Sequence, residues 1–288
     1  MAIVPGATRV VRGVTVPAIL YGTAWKAERT AALTAAAIAC GFRGIDTANQ
    51  PRHYDEAGAA AGVKSAIAAG AVTREQLFLQ TKFTPRAGQD HRVPYDPGAD
   101  VATQVRQSID SSLAHFGVVR LDSYILHAPS SRQGLSDADW RAWRAMEAAA
   151  AAGDTALIGV SNVSEGQLAM LVRDARIIPA FVQNRCFART RWDQRVRALC
   201  AAHDIVYQGF SLLTANRDVL ASPQVAVIAA RHDRTVAQVV FRFALESAMM
   251  PLTGTNDPTH MLDDLDVFGF VLSENEHRTV LEAAAQSP

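Results

Sequence analysis

Four polar residues of the types used in proton transfer follow short apolar segments in the first half of the chain. Asp46 ends Gly-Ile-Asp, Lys82 follows Leu-Phe-Leu-Gln-Thr, and His127 follows Leu-Asp-Ser-Tyr-Ile-Leu, while Tyr54 comes soon after Asp46. An aspartate beside a lysine can form an ion pair, and an ammonium beside a tyrosine favours the phenolate and lowers its pKa. Such a tyrosine could exchange a proton with a carbonyl or alcohol oxygen near neutral pH, while a histidine orients that oxygen.

Eight short apolar segments, each followed by a helical segment, predict the elements that must position these residues. Strands that alternate with helices predict a parallel sheet, and eight units in 288 residues fit a closed (β/α)8 TIM barrel better than an open sheet. GxGxxG does not follow the first strand, which disfavours an open dinucleotide-binding sheet. We expect an α/β fold in a single domain over residues 1–288, with an N-terminal β-hairpin within residues 8–18. The barrel strands are expected at residues 18–21, 43–45, 77–81, 121–126, 156–160, 180–182, 205–208 and 248–250.

A barrel of this kind carries its active site at the carboxyl ends of its strands. That geometry would gather Asp46, Lys82 and His127, with Tyr54 at the start of the helix after the second strand. The expected chemistry does not require a metal ion. Polar residues also follow the fifth and sixth strands, namely Ser161, Asn162 and Gln183.

The charge balance and the cysteine content limit the classes of partner. The chain has 28 Lys and Arg residues and 28 Asp and Glu residues, so its formal net charge is zero. This balance does not show the excess of positive charge that is typical of proteins that bind nucleic acid or a membrane surface. The three cysteines are far apart and lack metal-ligand spacing. No apolar run approaches the ~18 residues of a membrane helix, and residues 1–13 lack a signal-peptide pattern. We expect a cytoplasmic protein, a monomer or weak homo-oligomer, without nucleic-acid, membrane or metal partners.

The order and spacing of the motifs resemble the aldo-keto reductases over nearly the whole chain. In that family an Asp, a Tyr, a Lys and a His form the catalytic tetrad. The resemblance implies reversible hydride transfer between NADPH and a small-molecule aldehyde or ketone. Tyr54 would be the proton donor, Lys82 and Asp46 would tune it, and His127 would position the carbonyl. The motifs are Gly-Ile-Asp46-Thr-Ala, Tyr54-x-Glu56-Ala-Gly58, Thr-Lys82, Leu-Asp122-Ser-Tyr-Ile-Leu-His127 and Ile-Gly-Val-Ser161-Asn162.

The resemblance also implies cofactor and substrate contacts. Ser161, Asn162 and Gln183 correspond to residues that hold the nicotinamide carboxamide. Phe210 corresponds to the aromatic residue on which the nicotinamide stacks, a place more often held by Tyr. Substrate-binding residues would be Trp25, His53, Tyr54 and His127. The other cofactor-binding positions are Gly22, Thr23, Asp46, Ser211, Leu212, Thr253, Gly254, Thr255, His260 and Asp264.

Two regions depart from the family pattern. The segment between Asp46 and Tyr54 is longer than in common members, so residues 49–53 should reshape one wall of the pocket. At the adenosine end, Pro-Lys-Ser of many members becomes Pro-Leu-Thr, His260 stands at an arginine position, and Asp264 stands at an asparagine position. One titratable histidine thus replaces two fixed cations, although the following helix N-terminus and nearby hydroxyls could still hold a phosphate. We expect NADPH as cofactor, with NADH possible.

The printed chain ends at Pro288, soon after Phe268-Gly-Phe270. A long C-terminal loop over the pocket, which some members have, is therefore not expected. The pocket walls should come from Trp25, residues 49–53, residues 84–98 and residues 212–222. We expect an open pocket that accepts broad or bulky carbonyl compounds.

Two other functions remain open. An NADPH-binding barrel that regulates a partner with little catalysis would not need Tyr54. A lysine-dependent aldolase would use Lys82 as a Schiff-base nucleophile, although the Asp and Tyr partners of this lysine argue against that chemistry.

Overall fold

A closed barrel of eight parallel strands is the centre of the computed structural model, which describes residues 7–283. An antiparallel hairpin, β1 (Thr8–Val11) and β2 (Val14–Pro17), precedes it. Each barrel strand pairs with the next, and β10 pairs with both β9 and β3. The predicted (β/α)8 barrel with an N-terminal hairpin is confirmed. The barrel strands are β3 (Leu20–Gly22), β4 (Gly44–Asp46), β5 (Phe78–Phe83), β6 (Leu121–Leu126), β7 (Thr155–Ser161), β8 (Phe181–Arg185), β9 (Val206–Phe210) and β10 (Met250–Thr253).

Helices surround the barrel and connect its strands. The α-helices are α1 (Thr30–Cys40), α2 (Glu56–Ala68), α3 (Val101–Phe116), α4 (Asp137–Ala152), α5 (Glu165–Asp174), α6 (Gln194–Ala202), α7 (Arg217–Leu220), α8 (Pro223–Arg231), α9 (Val236–Glu246), α10 (Pro258–Leu265) and α11 (Glu274–Glu282). Short 3-10 helices lie at Ala27–Arg29, Arg74–Gln76, Arg86–Gly88, Ala188–Thr190 and Asp266–Gly269.

The helix starts follow from side chains that satisfy free backbone N–H groups. Ser136, Ser164, Thr235 and Ser273 each form a reciprocal capping box with the side chain three residues later. Asp55 caps α2 by accepting a hydrogen bond from the amide of Gly58. The cap places the residue before it, Tyr54, at the carboxyl end of β4.

The N-terminal hairpin packs where the barrel strands begin. Val11 and Val16 join a buried cluster with residues that start the strands, and Arg12 donates to the carbonyl oxygens of Ile178 and Pro179 just before β8. Gly44 permits close approach here, because a Cβ atom would lie 2.3 Å from Leu20 Cδ2. The hairpin therefore closes the end of the barrel opposite the strand carboxyl ends.

The last barrel strand begins later than the sequence predicts. Residues 248–250 were expected to form it, but the amides of Ala248 and Met249 donate to α9 carbonyls and close that helix. The strand instead contains Pro251, which pairs with Gly209 of β9. Pro251 is tolerated in the strand although a proline cannot donate to a sheet ladder. The short α7 and the C-terminal α11 were also not predicted.

Candidate active site

Asp46 and Lys82 form a buried ion pair at the mouth of the barrel. Lys82 Nζ donates to both Asp46 carboxylate oxygens, at 2.7 and 2.8 Å, and to the carbonyl oxygen of Thr47 at 2.7 Å. Lys82 is fully buried, and burial lowers its pKa while the contact with Asp46 opposes that effect. All three ammonium hydrogens have acceptors, so the position of the charge is fixed.

Three buried glutamines surround the Asp46 carboxylate. Gln80 and Gln183 donate to Asp46 Oδ1 at 2.7 and 3.0 Å, and the side chain of Gln208 bonds to both of these amides. Gln80 and Gln208 were missed in the sequence. Alternation along a strand could have found them, because Gln80 precedes Lys82 by two residues and Gln208 precedes Phe210 by two.

Tyr54 lies against the buried ion pair. Lys82 Nζ is 5.3 Å from the centroid of the Tyr54 ring. The pKa of Tyr54 is raised, first because burial disfavours the phenolate and then because of the negative charge of Asp46. This is the opposite of the direction expected from a neighbouring ammonium. The physical reason is that Asp46 neutralises Lys82 at close range, so burial decides the outcome.

His127 completes the group. Its ring packs edge-on against that of Tyr54, with the centroids 5.7 Å apart. Its Nδ1 lies 2.7 Å from the hydroxyl oxygen of Thr84. Burial lowers the pKa of His127 to about 3, with smaller contributions from Lys82 and His53. The imidazole is therefore neutral at physiological pH. The structure thus brings together all four residues of the predicted tetrad.

The predicted carboxamide-binding residues lie at the ends of β7 and β8. Ser161 Oγ donates to the carbonyl oxygen of Gln183 at 2.6 Å. Asn162 Nδ2 donates to Ser161 Oγ at 3.0 Å and to the carbonyl oxygen of His127 at 2.9 Å. Of the three predicted residues, Asn162 is exposed, whereas Ser161 and Gln183 are buried. Gln183 directs its amide nitrogen inward to Asp46.

The loop after β9 is held in one shape by Asn216. Its amide nitrogen donates to the carbonyl oxygens of Leu212 and Cys186, and its Oδ1 accepts from the amide of Ala188. Phe210 is half-buried at the end of β9, and the Leu212 side chain is buried. A ligand at this loop would therefore meet the ring of Phe210 and the backbone of Leu212.

Trp25 and His53 form a stacked pair above β3 and β4. Their ring centroids are 4.0 Å apart, the amide of Trp25 donates to the carbonyl oxygen of His53 at 2.8 Å, and the Trp25 side chain is 72% exposed. The strand below is tied down because both the amide and the hydroxyl of Thr23, next to Gly22, donate to the carbonyl oxygen of Asp46. The stacked pair is thus fixed at the rim beside Asp46.

Several residues at the strand ends adopt the left-handed conformation that non-glycine residues rarely occupy. Trp25, Ala27, Asn162 and Ser211 have φ values of 62°, 48°, 56° and 57°. They follow β3, β7 and β9. Left-handed residues also occur away from this rim, for example at Arg12, Asp204 and Ala248, so the conformation supports a site here only together with the polar groups described above.

The longer segment between Asp46 and Tyr54 borders a cavity of about 560 Å³. Asn49 Nδ2 donates to Ser111 Oγ at 3.1 Å, and Gln50 Nε2 donates to the carbonyl oxygen of Gly88 at 2.7 Å. These bonds tie the segment to α3 and to the loop after β5. The cavity is lined by residues 49–57 together with Trp25, Ala27, Arg92 and His115.

The residues predicted for the adenosine end are arranged around α10. Thr253 Oγ1 donates to Asp264 Oδ2 at 2.6 Å, and both residues are buried. Burial raises the pKa of Asp264 to about 6. His260 is exposed on the same helix, and Thr255 Oγ1 accepts a hydrogen bond from the amide of Asp257 at 3.2 Å. The hydroxyls of Thr253 and Thr255 are therefore already engaged with protein groups.

Lys26 is a further candidate that the sequence reasoning missed. Its Nζ donates to the carbonyl oxygen of Gly254 at 2.8 Å and to Asn256 Oδ1 at 2.9 Å, and it lies 5.0 Å from the Tyr21 ring centroid. Lys26 is buried, and among residues 7–283 it forms no salt bridge with a carboxylate. Burial lowers its pKa to about 8. Its place soon after Gly22 and Thr23 was the available signal.

Two features are absent from residues 7–283. In that part of the chain no helix has the length and apolar character needed to cross a bilayer. Nor do His, Cys, Asp and Glu side chains there gather in threes or more as a metal ion would require.

Comparisons with known proteins agree with this architecture. The sequence profile described as "Aldo/keto reductase family" matches residues 18–285. An aldo-keto reductase of Mycobacterium avium (strain 104) is 32% identical over 256 residues, which cover 88% of this chain and 81% of that protein. Morphine 6-dehydrogenase of Pseudomonas putida is 29% identical over 284 residues, covering 92% and 86%.

A solved structure shows the same fold. The crystal structure of a Bombyx mori aldo-keto reductase in complex with NADP has a TM-score of 0.82 and 23% identity, covering 97% of this chain and 93% of that one. With the match to the family profile, this result leads to one conclusion: the chain belongs to the aldo/keto reductase family.

Proposed function

We propose that this protein reduces an aldehyde or ketone to an alcohol, reversibly, with NADPH or NADH as hydride source. The observation that supports the proposal most is the grouping at the barrel mouth. A buried ammonium, fixed by Asp46, lies under the ring of Tyr54, and the ring of neutral His127 packs against that of Tyr54.

Tyr54 would give the proton to the carbonyl oxygen. Its raised pKa keeps the phenol protonated throughout the neutral range, so the proton is present when negative charge develops on that oxygen. Lys82 would then stabilise the phenolate that remains, from 5.3 Å below the ring. Because the phenolate is scarce at neutral pH, alcohol oxidation, which needs it as a base, should be the slower direction there.

His127 would hold the carbonyl oxygen beside Tyr54. A neutral imidazole can donate one hydrogen bond from the ring nitrogen that carries its hydrogen, and the low pKa of His127 keeps it neutral. Such a donor stabilises the charge that develops on oxygen without competing with Tyr54 as the acid.

The residues present are suited to a nicotinamide dinucleotide. When bound, the cofactor supplies the hydride. Asn162 and the end of β7 would hold the carboxamide, and Phe210 would stack on the ring. Ser211 and the backbone of Leu212 would face the phosphates. Lys26, a buried cation that forms no salt bridge with a carboxylate within residues 7–283, would offer the phosphates a charge. The NADP complex of the Bombyx mori relative supports this assignment.

The adenosine end would discriminate weakly between NADPH and NADH. His260 is exposed and is the position expected to meet a 2′-phosphate, while Asp264 brings a buried carboxyl group to the same helix. An ionised Asp264 would repel a phosphate and offset part of the attraction of His260. We therefore expect NADPH to be preferred by a small margin.

The alternative functions have less support. A Schiff-base lysine needs a free amine, whereas Lys82 donates to Asp46 and Thr47 with all of its hydrogens. A purely regulatory barrel would have no use for a buried pair that supports Tyr54. The chain's similarity to a morphine 6-dehydrogenase, together with the exposed Trp25 at the rim, favours bulky carbonyl compounds or alcohols as substrates.

The test follows NADPH and NADH absorbance with a panel of aldehydes, ketones and quinones. Tyr54→Phe should lower kcat by roughly 10²–10⁴-fold while cofactor binding, measured by fluorescence, is retained. Tyr124→Phe is the matched control, because Tyr124 is buried in the layer between barrel and helices. Turnover by the wild type with none of the panel, or full activity in Tyr54→Phe, would contradict the proposal.

A further inference from the structure

The ring of His127 is fixed by contacts outside the proposed tetrad. Its Nδ1 lies 2.7 Å from Thr84 Oγ1, its amide donates to the carbonyl oxygen of Phe83 at 2.8 Å, and its own carbonyl oxygen accepts from Asn162 at 2.9 Å. Of these three hydrogen bonds, only the one with Thr84 involves the imidazole itself. It is therefore the contact that can control which ring nitrogen carries the hydrogen.

Thr84 is held in place by the loop that follows β5. Its carbonyl oxygen accepts hydrogen bonds from the hydroxyl of Tyr95 at 2.7 Å and from Gln89 Nε2 at 3.4 Å. Gln89 Nε2 also donates to the carbonyl oxygen of Asn49 at 2.9 Å, so the loop is joined to the segment before Tyr54. Thr84 is only 3% exposed.

The side-chain conformation of Thr84 is fixed as well. Its methyl carbon packs so closely on Gly88 that a Cβ atom there would lie 2.7 Å from it. The methyl group of Thr84 thus faces Gly88, while its hydroxyl group faces His127. These two contacts together define the orientation of the side chain.

The hydrogen-bonding capacity of this pair distinguishes two arrangements. If Nδ1 donates to Thr84, the threonine hydroxyl hydrogen has no acceptor, because Thr84 Oγ1 has no other hydrogen-bond partner within residues 7–283. If Thr84 donates to Nδ1, the buried hydroxyl hydrogen has an acceptor, and the neutral ring carries its own hydrogen on Nε2. Because His127 is only half-buried, Nε2–H can meet solvent or a ligand, whereas the hydroxyl hydrogen of Thr84 cannot. The second arrangement therefore leaves no buried hydroxyl hydrogen without an acceptor.

We propose that Thr84 is a positioning residue that donates its hydroxyl hydrogen to Nδ1 of His127 and so keeps the hydrogen of the imidazole on Nε2. Nε2–H is then the donor offered to the carbonyl oxygen of the substrate. With the hydrogen on Nδ1, the lone pair of Nε2 would face that oxygen and repel it. The proposal rests on the proposed carbonyl reduction for its consequence, but the tautomer itself can be measured without substrate.

The decisive measurement is ¹⁵N NMR of the full-length protein with labelled histidine, recorded without substrate or cofactor. The His127 signals are assigned by their loss in His127→Gln. Wild type and Thr84→Ser, which retains the hydroxyl, should both show hydrogen on Nε2. Thr84→Val, which is similar in shape but lacks the hydroxyl, should show hydrogen on Nδ1 or a mixture. Hydrogen on Nδ1 in the wild type, or an unchanged Nε2–H signal in Thr84→Val, overturns the proposal.

Kinetics then separate the positioning role from a structural one. Thr84→Val should lower kcat by about 10–100-fold, the range seen when partners that orient a histidine are removed. The Kd for NADPH and the melting temperature should stay near wild type, and Thr84→Ser should restore kcat. A tautomer change without loss of kcat in Thr84→Val overturns the role in carbonyl binding. Failure of the proposed function would instead appear as no turnover in the wild type, with the NMR result intact.

Discussion

The two ends of the proposed cofactor groove are built differently. At the catalytic end, Lys82, Asp46 and three glutamines from different strands satisfy one another, and His127 is fixed by Thr84. At the adenosine end, His260 is exposed, and Asp264 is a buried acid whose carboxyl group bonds, within residues 7–283, only to Thr253. The reaction centre is therefore specified by several strands together, whereas cofactor discrimination depends on one helix.

This difference should separate the effects of mutations. A change in Lys82, Asp46 or their glutamine partners removes a group from a buried polar network, so it should reduce stability and activity together. A change of the exposed His260 on α10 alters a side chain near solvent, so it should change cofactor preference while leaving the reaction itself intact. The variants below test that separation in order of expected effect.

Lys82→Met should be the most disruptive variant. It leaves the Asp46 carboxylate buried without its cation, which costs about 3–5 kcal/mol of unfolding free energy in comparable pairs. Urea denaturation measures the loss, and carbonyl reduction should be abolished.

The control for that variant is a double-mutant cycle with Asp46→Asn. The double variant removes both charges and leaves neither one buried alone. Its loss of unfolding free energy should therefore be smaller than the sum of the losses in the two single variants. Additive losses would mean that the two groups do not stabilise each other, and the catalytic end would then be no more tightly specified than the adenosine end.

Lys26→Met should weaken both cofactors equally, because Lys26 is proposed to meet phosphates that NADPH and NADH share. Loss of a charge-assisted hydrogen bond is worth about 1.5–3 kcal/mol, so each Kd should rise roughly 10- to 150-fold. The pKa of Lys26 is lowered to about 8, so wild-type affinity should fall as pH rises through 8. A flat profile from pH 7 to 9.5 in the wild type, or a loss confined to NADPH, would exclude this role.

The sequence was sufficient for the barrel, because apolar segments that alternate with helical segments are local patterns. The tetrad was implied by the resemblance to the family, and the structure brings its four residues together while their roles stay a proposal. Contacts between strands that are far apart in the chain could not be predicted from such local patterns. Gln208 lies 128 positions from Gln80, and only barrel closure makes them partners. The pKa of Tyr54 was predicted to be lowered, whereas burial and the negative charge of Asp46 raise it. The sequence shows that Lys82 is a neighbour, but it does not show how deeply Tyr54 is buried or how closely Asp46 neutralises Lys82.

The adenosine end was the part least accessible to sequence. The resemblance to the family implied Thr253 and Asp264 as ligand contacts, but no pattern indicated that they bond to each other. Likewise, Lys26 reaches Gly254 from a segment 228 positions away in the chain. Strand pairing between β10 and β3 determines that contact, and it could not be inferred from either segment alone.

Asp264→Asn should stabilise the protein, in contrast to changes at the catalytic end. The pKa of Asp264 is raised to about 6, so folding disfavours its charged form. The resulting destabilisation is absent below about pH 4, develops between pH 4 and 6, and is complete above pH 6. The variant keeps an acceptor for Thr253 and should gain about 1–2 kcal/mol at pH 7.5.

Urea denaturation at pH 4 and pH 7.5 tests this prediction. Asp263→Asn, a more exposed neighbour on the same helix, removes an equal formal charge and is the control. An equal gain at both pH values, or the same gain from Asp263→Asn, would mean that burial of Asp264 is not the cause.

His260→Arg should have the smallest effect, and it is the most direct test of discrimination at the adenosine end. A planar guanidinium can donate two parallel hydrogen bonds to a phosphate, which an imidazole cannot, so the ratio of Kd for NADH to Kd for NADPH should rise. The site is exposed, so solvent screening limits the gain to about 0.5–1 kcal/mol, or roughly two- to fivefold. The value of kcat should stay unchanged in the variant. A change in kcat would show that the two ends are coupled after all.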